Sequence, residues 1–269
     1  MPQPRLKIFT RSFDLRLYRI ARGLFCGWKD ASGVEVPCVR LTDRSADGYF
    51  YAMLQDGSAD IAISIEEDCF VTDPQAVLDL VRTMQEGGYA AIGCSDGDPA
   101  TTGRDPVAMS PFFCILNLSL IRTRFSRNRI IRLPEDYEPY YPFFRWLAAT
   151  FPVLYLDARR HQDGISTVAI DPQGRTLCLH SWFSRFYGLP ACVVRLFEPS
   201  QGRQKERIDA LIAEVYAARS MEFPRFSLAD RLLFFRDRIV RWCIKIPQRI
   251  AGWPGKIKRR IARKRAAKR

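Results

Sequence analysis

Residues 59–97, which read ADIAISIEEDCFVTDPQAVLDLVRTMQEGGYAAIGCSDG, decide the fold class of this chain. Their pattern predicts a buried strand over 59–65, a helix that begins after the cap residue Asp73, and a second strand over 89–94. The helix is predicted to be amphipathic, because four apolar residues recur at helical spacing: Val77, Leu80, Val81 and Met84. A strand, a helix and a strand in succession are the repeating unit of an α/β layered domain.

The same alternation continues on both sides of this stretch. Apolar runs predict further strands over residues 7–10, 34–41, 111–121, 153–157 and 175–180. Helical spacing predicts helices over residues 14–25, 46–55, 140–151 and 204–219. The alternation indicates an α/β layered domain whose sheet is mostly parallel and is flanked by helices. Ligands of such sheets bind beyond the carboxyl ends of the strands, and several polar residues follow predicted strands here.

Charge divides the chain into two parts. Its 269 residues are 47% hydrophobic, which excludes a wholly disordered protein, and they carry a formal net charge of +13. Residues 225–269 hold 16 Lys and Arg but 2 acidic residues, so the rest of the chain is almost neutral. A globular domain is therefore predicted over residues 1–222 and a basic extension over 223–269. A protein that binds nucleic acid over its whole surface is not expected.

The eight cysteines are scattered along the chain and form no CxxC pair. Most lie in apolar runs, so free buried thiols in a reducing compartment are favoured over a disulfide framework or a zinc site. The start of the sequence has no apolar segment behind a basic one, as a secretory signal would. The expected location is the cytoplasm, at the inner face of the membrane.

The acidic triplet after the strand at 59–65 is a candidate metal site. Glu66 and Asp68 lie two positions apart, so an extended chain places both carboxylates on one side. Mn²⁺ or Mg²⁺ would relieve their mutual repulsion, and both ions accept one or two protein carboxylates together with phosphate oxygens. The alternative is a solvated acidic turn that caps the following helix.

Three segments in order support a family resemblance. Residues 59–97 resemble GT-A-type glycosyltransferases, with the apolar strand, a DxD-like acidic signature, the helix, the next strand and an Asp-Gly turn. Residues 110–113 (SPFF) and 180–185 (HSWFSR) resemble later segments of a bacterial glycosyltransferase group with a DEDCF-type signature. The resemblance covers roughly residues 7–188. It implies a GT-A-like, Rossmann-type mixed sheet flanked by helices, with a C-terminal amphipathic helix and a basic tail. It also implies that residues 1–222 are the catalytic domain, which binds a nucleotide sugar.

The resemblance implies a divalent metal site. The second acid of the signature, Asp68, would bind the metal, and Glu66 would lie nearer the nucleotide ribose or a metal-bound water. Glu66 departs from the family pattern, which has Asp there. His180 would be a third metal ligand, and the alternative is a packed histidine with one hydrogen bond.

The resemblance also implies contacts with a nucleoside diphosphate sugar. Thr10 and Arg11, at the end of the first strand, would contact the nucleotide base. Glu67, which lies between the two candidate metal ligands, would also contact the donor. Arg185 could neutralise the diphosphate or form a surface salt bridge. Asp96 could bind sugar hydroxyls, although Asp-Gly is also a common turn dipeptide.

An inverting transfer requires a carboxylate that deprotonates the acceptor hydroxyl. Residues 135–137 resemble the Glu-Asp pair that precedes a helix in many inverting GT-A enzymes, and Asp136 is the preferred base. Asp163 and a purely structural, helix-initiating acid are the alternatives.

Apolar residues at helical spacing in the C-terminal extension predict a helix over residues 228–246. Its apolar stripe and its flanking cations suit a membrane interface, and residues 256–269 add nine cations and no acid. The alternatives are an ordinary packed helix and, less favoured, nucleic-acid binding, because no recognition motif accompanies the charge.

The overall expectation is a metal-dependent glycosyltransferase at the membrane surface. It would move a sugar from a nucleoside diphosphate sugar to a lipid-linked or envelope-glycan acceptor, with residues 228–269 on anionic lipid. The alternatives are a sugar nucleotidyltransferase on a similar fold and a non-catalytic protein that binds membranes or nucleic acid.

Overall fold

The computed structural model describes residues 3–42, 45–101, 103–133, 136–184, 187 and 204–240. The chain divides into two compact units, residues 1–224 and residues 225–269. Among the helices of the described ranges, none has a segment that is both long and apolar enough to traverse a bilayer.

The described part of the first unit contains nine strands and six α-helices. The strands are β1 Leu6–Arg11, β2 Cys38–Leu41, β3 Ile61–Ile65, β4 Cys69–Val71, β5 Ala91–Ser95, β6 Met109–Asn117, β7 Val153–Arg160, β8 Thr167–Ile170 and β9 Thr176–His180. The helices are α1 Leu15–Phe25, α2 Ala46–Gln55, α3 Pro74–Gly87, α4 Leu118–Arg122, α5 Tyr141–Thr150 and α6 Gln204–Ala218. In the second unit, helix α7 covers residues 228–240 of the described chain.

The strands form one mixed sheet in the order β2-β1-β3-β6-β5-β7-β8-β9-β4. A mixed sheet flanked by helices confirms the predicted fold class. The expectation of a mostly parallel sheet was wrong, since β1–β2, β1–β3 and β5–β7 are parallel and the other described pairings are antiparallel. The reason is the length of the later connections. The turns after β7 and β8 are a few residues long, which permits hairpins but no crossover helix.

The sheet curls back on itself. Residues 66–68 alone join β3, the third strand in the order, to β4, the last one. The β4 edge must therefore lie beside the end of β3, because three residues span at most about 10 Å. This curl creates the corner in which the acidic triplet lies.

Local sequence signals explain the helix ends. Asp14 accepts a hydrogen bond from the Leu17 N–H (2.9 Å) at the start of α1, and Asp73 accepts one from Ala76 (2.9 Å) at the start of α3. Gly88 ends α3 with a φ of 63°, a left-handed conformation that glycine adopts without strain.

Four elements differ clearly from the sequence prediction. One is β2, which was expected over 34–41 and begins at Cys38. The short strands β4 and β8 were not predicted, and the strand expected over 111–121 ends at Asn117, where α4 begins. The Asn117 side chain accepts a hydrogen bond from the Leu120 N–H (3.0 Å), so this residue caps a helix instead of continuing a strand.

The core contains one large cluster that joins α2, α4 and α5 to the sheet. It is rich in aromatic rings, and its members include Phe9, Tyr49, Phe50, Phe143 and Phe144. Phe50 stacks on Phe143 with ring centroids 5.5 Å apart. Helices α1 and α6 pack on β4, and α3 packs on β5 and β9. The strands around the acidic corner are therefore held by buried helices.

Candidate metal centre

The acidic triplet forms the corner between β3 and β4. The Glu66 N–H donates to the Phe112 carbonyl (2.9 Å), which fixes the backbone at the end of β3. Residues 66–69 form a turn, in which the Cys69 N–H donates to the Glu66 carbonyl (3.0 Å). Glu66 and Asp68 belong to one cluster of side chains and Glu67 does not. The two acids lie together as expected, but the extended conformation predicted for them was wrong, because the turn brings their side chains together.

His180 reaches the corner through strand pairing. In the antiparallel β4–β9 pair, Cys69 lies opposite His180, and the Ser181 N–H donates to the Asp68 carbonyl (2.9 Å). His180 Nε2 lies 3.3 Å from Asp68 Oδ1. Asp68 and His180 are far apart in sequence and are neighbours because β9 pairs with β4.

The donor atoms of Glu66, Asp68 and His180 all lie within 4.8 Å of one another. His180 and Asp68 are buried, and Glu66 is nearly so. One of the cluster's atoms, His180 Nδ1, is buried without a hydrogen-bond partner, which is costly unless a ligand satisfies it. Two carboxylates and one imidazole are a donor set that fits Mn²⁺. The arrangement therefore fits a divalent ion at this corner.

Aromatic rings hold the imidazole in place. Phe112 stacks on His180 with ring centroids 4.5 Å apart and an interplanar angle of 7°, and the Trp182 ring contacts it edge-on at 4.2 Å. Trp182 Nε1 donates to Thr167 Oγ1 (2.8 Å), which fixes the indole. Trp182 and Phe183 both have positive φ, 54° and 60°, a left-handed conformation that is unusual for bulky residues and that occurs at functional sites.

Arg11 supplies the positive charge of the corner. Its Nη2 lies 2.9 Å from Glu66 Oε1, as an ion pair whose angle does not make a hydrogen bond. Burial lowers the pKa of Arg11, but the negative charges nearby, Glu66 foremost, outweigh it and raise that pKa overall. Thr10, the preceding residue, is fully buried in β1.

The two acids of the cluster have opposite pKa shifts. Burial raises the pKa of Glu66, the Asp68 charge adds to that shift, and Arg11 opposes it without reversing it. Burial also acts on Asp68, but the charge of His180 and hydrogen bonds from His180 and Ser184 lower its pKa overall. Asp68 is thus the better-stabilised anion, and Glu66 is the carboxylate that gains most from a cation.

Glu67 has a different environment. Its buried carboxylate accepts hydrogen bonds from Ser12 Oγ (2.7 Å) and from the Asp14 N–H (2.8 Å). Burial, with a contribution from the Asp14 charge, raises the pKa of Glu67 to about 8. These contacts tie the acidic corner to the loop between β1 and α1, and a contact of Glu67 with a donor stays a prediction.

Asp96 lies buried in a hydrogen-bond network after β5. Tyr141 donates to its Oδ2 (2.6 Å), Tyr140 to its Oδ1 (3.1 Å), and the Arg104 N–H also to its Oδ2 (3.2 Å). Burial raises the pKa of Asp96 although these bonds oppose it. Gly103 leaves the room for this carboxylate, because a Cβ there would lie 1.7 Å from Oδ2. A sugar hydroxyl would have to share or displace these donors.

The two acids predicted as catalytic bases are held by cations. The Asp136 side chain is buried, accepts from the Leu133 N–H (2.7 Å) and pairs with Arg145. Asp163 accepts from the Ser166 N–H (2.7 Å) and pairs with Arg207 (3.0 Å), and although burial acts against it, these hydrogen bonds lower its pKa. Neither belongs to the Glu66, Asp68 and His180 cluster, and a catalytic role stays a prediction for both.

Arg185 lies outside the described residues. Two residues of the site were not singled out from the sequence: Phe112, which stacks on the imidazole, and Trp182, which contacts its edge. Both belong to the segments SPFF and HSWFSR, so an aromatic residue two positions after the histidine was the available signal.

No protein-family model matches this chain, and no curated protein matches it in sequence. Solved structures similar to it include a cytidylyltransferase from Leptospira borgpetersenii, with 13% identity, a TM-score of 0.39, and coverage of 84% of this chain and 99% of that one. A mannosyltransferase from Pyrobaculum calidifontis, solved with GDP-Man and Mn²⁺, has 10% identity, a TM-score of 0.38, and coverage of 90% and 81%. A TarS fragment from S. aureus has 10% identity, a TM-score of 0.37, and coverage of 79% and 71%.

Proposed function

We propose that this chain is a metal-dependent glycosyltransferase that takes its sugar from a nucleoside diphosphate sugar. The observation that carries the proposal is the corner between β3 and β4, where Glu66, Asp68 and His180 hold their donor atoms within 4.8 Å of one another. The corner lies at the carboxyl end of β3, where sheets of this kind bind their ligands.

Glu66, Asp68 and His180 would hold Mn²⁺ or Mg²⁺. Bound there, the ion would neutralise charge that develops on a diphosphate leaving group. Two carboxylates leave a divalent ion with further coordination positions, which suits phosphate oxygens. The aromatic rings of Phe112 and Trp182 exclude water from one side of the imidazole, so its electrostatic interactions are stronger than in solvent.

Arg11 is the residue best placed to bind the donor. It lies in the corner beside Glu66, and its planar guanidinium can bind two phosphate oxygens at once. With Glu66 bound to a cation, Arg11 would no longer be held in its ion pair. Its guanidinium could then bind the diphosphate. Metal binding and diphosphate binding would then favour each other.

The second unit supports a membrane location. In α7 the predicted apolar stripe is exposed: Leu228 has 74% and Phe235 has 60% of its side-chain surface accessible. Phe234, by contrast, is buried and contacts Phe226 with ring centroids 5.0 Å apart. An exposed apolar stripe next to a basic tail suits the interface of an anionic bilayer. The acceptor would then be a lipid-linked or envelope glycan, reached by a peripheral enzyme at the cytoplasmic face.

The test is calorimetric binding of a panel of nucleoside diphosphate sugars to the full chain, with and without Mn²⁺. We expect one donor to bind with a Kd at least tenfold lower when Mn²⁺ is present. Asp68→Asn and His180→Gln should remove that dependence, while the matched control Asp163→Asn, an acid outside the cluster, should keep it.

Two outcomes would contradict the proposal. A folded chain that binds none of the donors in the presence of Mn²⁺ is not a transferase of this class. Binding of a nucleoside triphosphate in preference to every diphosphate sugar would indicate a nucleotidyltransferase.

A further inference from the structure

A second basic surface lies on the first unit, away from the C-terminal extension in sequence. Residues 122–133 read RTRFSRNRIIRL, with five arginines and no acid. We call residues 127–133 the arginine loop. Two of its aliphatic side chains are exposed, Ile131 at 72% and Leu133 at 41%, and Arg129 and Arg132 on either side of Ile131 are exposed as well.

Hydrogen bonds fix the backbone at both ends of the arginine loop. The loop begins with one turn of 3₁₀ helix, in which the Ile130 N–H donates to the Arg127 carbonyl (3.1 Å). At its end, the Leu133 N–H donates to the Asp136 carboxylate (2.7 Å), and the Asp136 N–H donates to the Leu133 carbonyl (3.1 Å). Both ends are therefore held by hydrogen bonds.

An ion-pair network holds the end of the arginine loop. Arg145 on α5 pairs with Asp136 and with Asp105 (2.6 Å), and the carboxylates of both acids are buried. The acid predicted as a catalytic base thus anchors the arginine loop to the body. Beyond the loop, Tyr137 is exposed, and the Arg104 guanidinium stacks over its ring (4.5 Å to the centroid).

We propose that the arginine loop is a membrane contact of the body, which inserts Ile131 and Leu133 into the surface of an anionic bilayer. Charge complementarity argues for an anionic partner, because the loop carries arginines and no acid. The exposed aliphatic side chains between those arginines require an apolar phase directly behind the anionic surface, and a bilayer has that combination. An exposed tyrosine beside them is typical of the headgroup level.

This proposal does not depend on the metal centre. Its test uses the full chain and vesicles of phosphatidylcholine with or without an anionic phospholipid. Hydrogen exchange of the backbone amides of residues 127–133 should slow at least about fivefold when anionic vesicles are added, because the inserted loop loses contact with water. Protection confined to other parts of the chain would overturn the proposal.

Substitutions separate the two components of the contact. Ile131→Ser combined with Leu133→Ser should weaken binding to anionic vesicles about tenfold or more, since two aliphatic side chains no longer leave water. The matched control is Val34→Ser, which removes an aliphatic side chain that is 61% exposed on the same unit. The control should change binding less than twofold. Equal effects of the control and the double variant would contradict the assignment.

Arg129→Gln combined with Arg132→Gln should weaken binding about tenfold at low salt and reduce its salt dependence. Arg82→Gln, an exposed arginine on α3, is the control and should have little effect. Heparin is the probe for a soluble polyanion. The proposal fails if heparin binding competes for the loop arginines and vesicle binding is indifferent to Ile131 and Leu133, because the surface would then bind polyanions and no bilayer.

Discussion

Replacement of Glu66 by Gln should leave the metal-free protein as stable as the parent, or more stable, while it removes most of the stabilisation by Mn²⁺. In the parent, the donor atoms of Glu66 and Asp68 lie within 4.8 Å of each other. At an effective dielectric constant of about 20, two unit charges at that distance repel by about 3.5 kcal/mol. The ion pair with Arg11 offsets part of this, but burial and repulsion together still raise the pKa of Glu66.

A raised pKa means that the folded protein disfavours the ionised form of Glu66 relative to the unfolded chain. Gln keeps the size of the side chain and removes the charge, so the metal-free protein loses an unfavourable interaction. The same change removes one of two carboxylates from the metal centre. A metal that binds the native state stabilises it by about 2.7 kcal/mol at one hundred times its Kd. For a unit of this size that is a rise of about 5 to 11 °C in melting temperature.

The assay is thermal unfolding with and without saturating Mn²⁺. We expect the parent to gain this rise and Glu66→Gln to gain less than a third of it. Glu67→Gln is the control, because its carboxylate is held by Ser12 and Asp14 outside the cluster and its Mn²⁺ response should be intact. The reasoning is refuted if Glu66→Gln keeps the full Mn²⁺ response, or if it unfolds several degrees lower than the parent without metal.

Three further predictions concern other parts of the first unit. A hydrogen bond from Cys38, aided by Arg22, lowers the pKa of Cys26 to about 7, so its alkylation rate should be half-maximal near pH 7 and fall below it; Cys38→Ala should move that midpoint upward. Gly103→Ala should destabilise the unit by about 2 to 4 kcal/mol in denaturant unfolding, because its Cβ would displace the buried Asp96 carboxylate; an unchanged midpoint would contradict the packing. Asp136→Asn should cost about 1 to 2 kcal/mol of stability, a value reduced for the partial exposure of its arginine partner, and should leave metal-dependent donor binding within twofold. A loss of turnover at unchanged stability would instead indicate that Asp136 acts as the catalytic base.

Local patterns were sufficient for much of the fold. Strand β3 and helix α3 with its cap Asp73 follow from residues close together in sequence. The clustering of Glu66 and Asp68 was predicted from the alternation of an extended chain, but it results from the turn at residues 66–69.

The elements that were missed depend on partners far away in the chain. β4 has three residues and β8 has four, too few for a period-two pattern to be distinguished from a loop. Each is a strand because β9 pairs with it, and β9 also brings His180 to the acidic corner. The sequence placed the histidine at a strand end, and the family resemblance associated it with the metal, but the spacing of residues could not show that its strand borders β4.

The availability of a carboxylate is the property that sequence conceals most. Asp136, Asp163 and Asp96 each look like a free acid at the end of an element, yet their partners differ in charge. Arg145 pairs with Asp136, and Arg207 pairs with Asp163. Burial acts to raise the pKa of Asp163, but hydrogen bonds, including the one from Arg207, lower it, so a proton on Asp163 would have to compete with a cation. Tyrosine hydroxyls and a backbone N–H hold Asp96, and burial raises its pKa. A base must be able to take up a proton near neutral pH, so the pKa of a carboxylic acid must be raised toward about 7. Neutral partners and a water-poor site shift the pKa in that direction. Pairing with a cation works against proton uptake, whatever motif surrounds the acid. The choice of a base in this chain therefore has to begin from the charge of each carboxylate's partners.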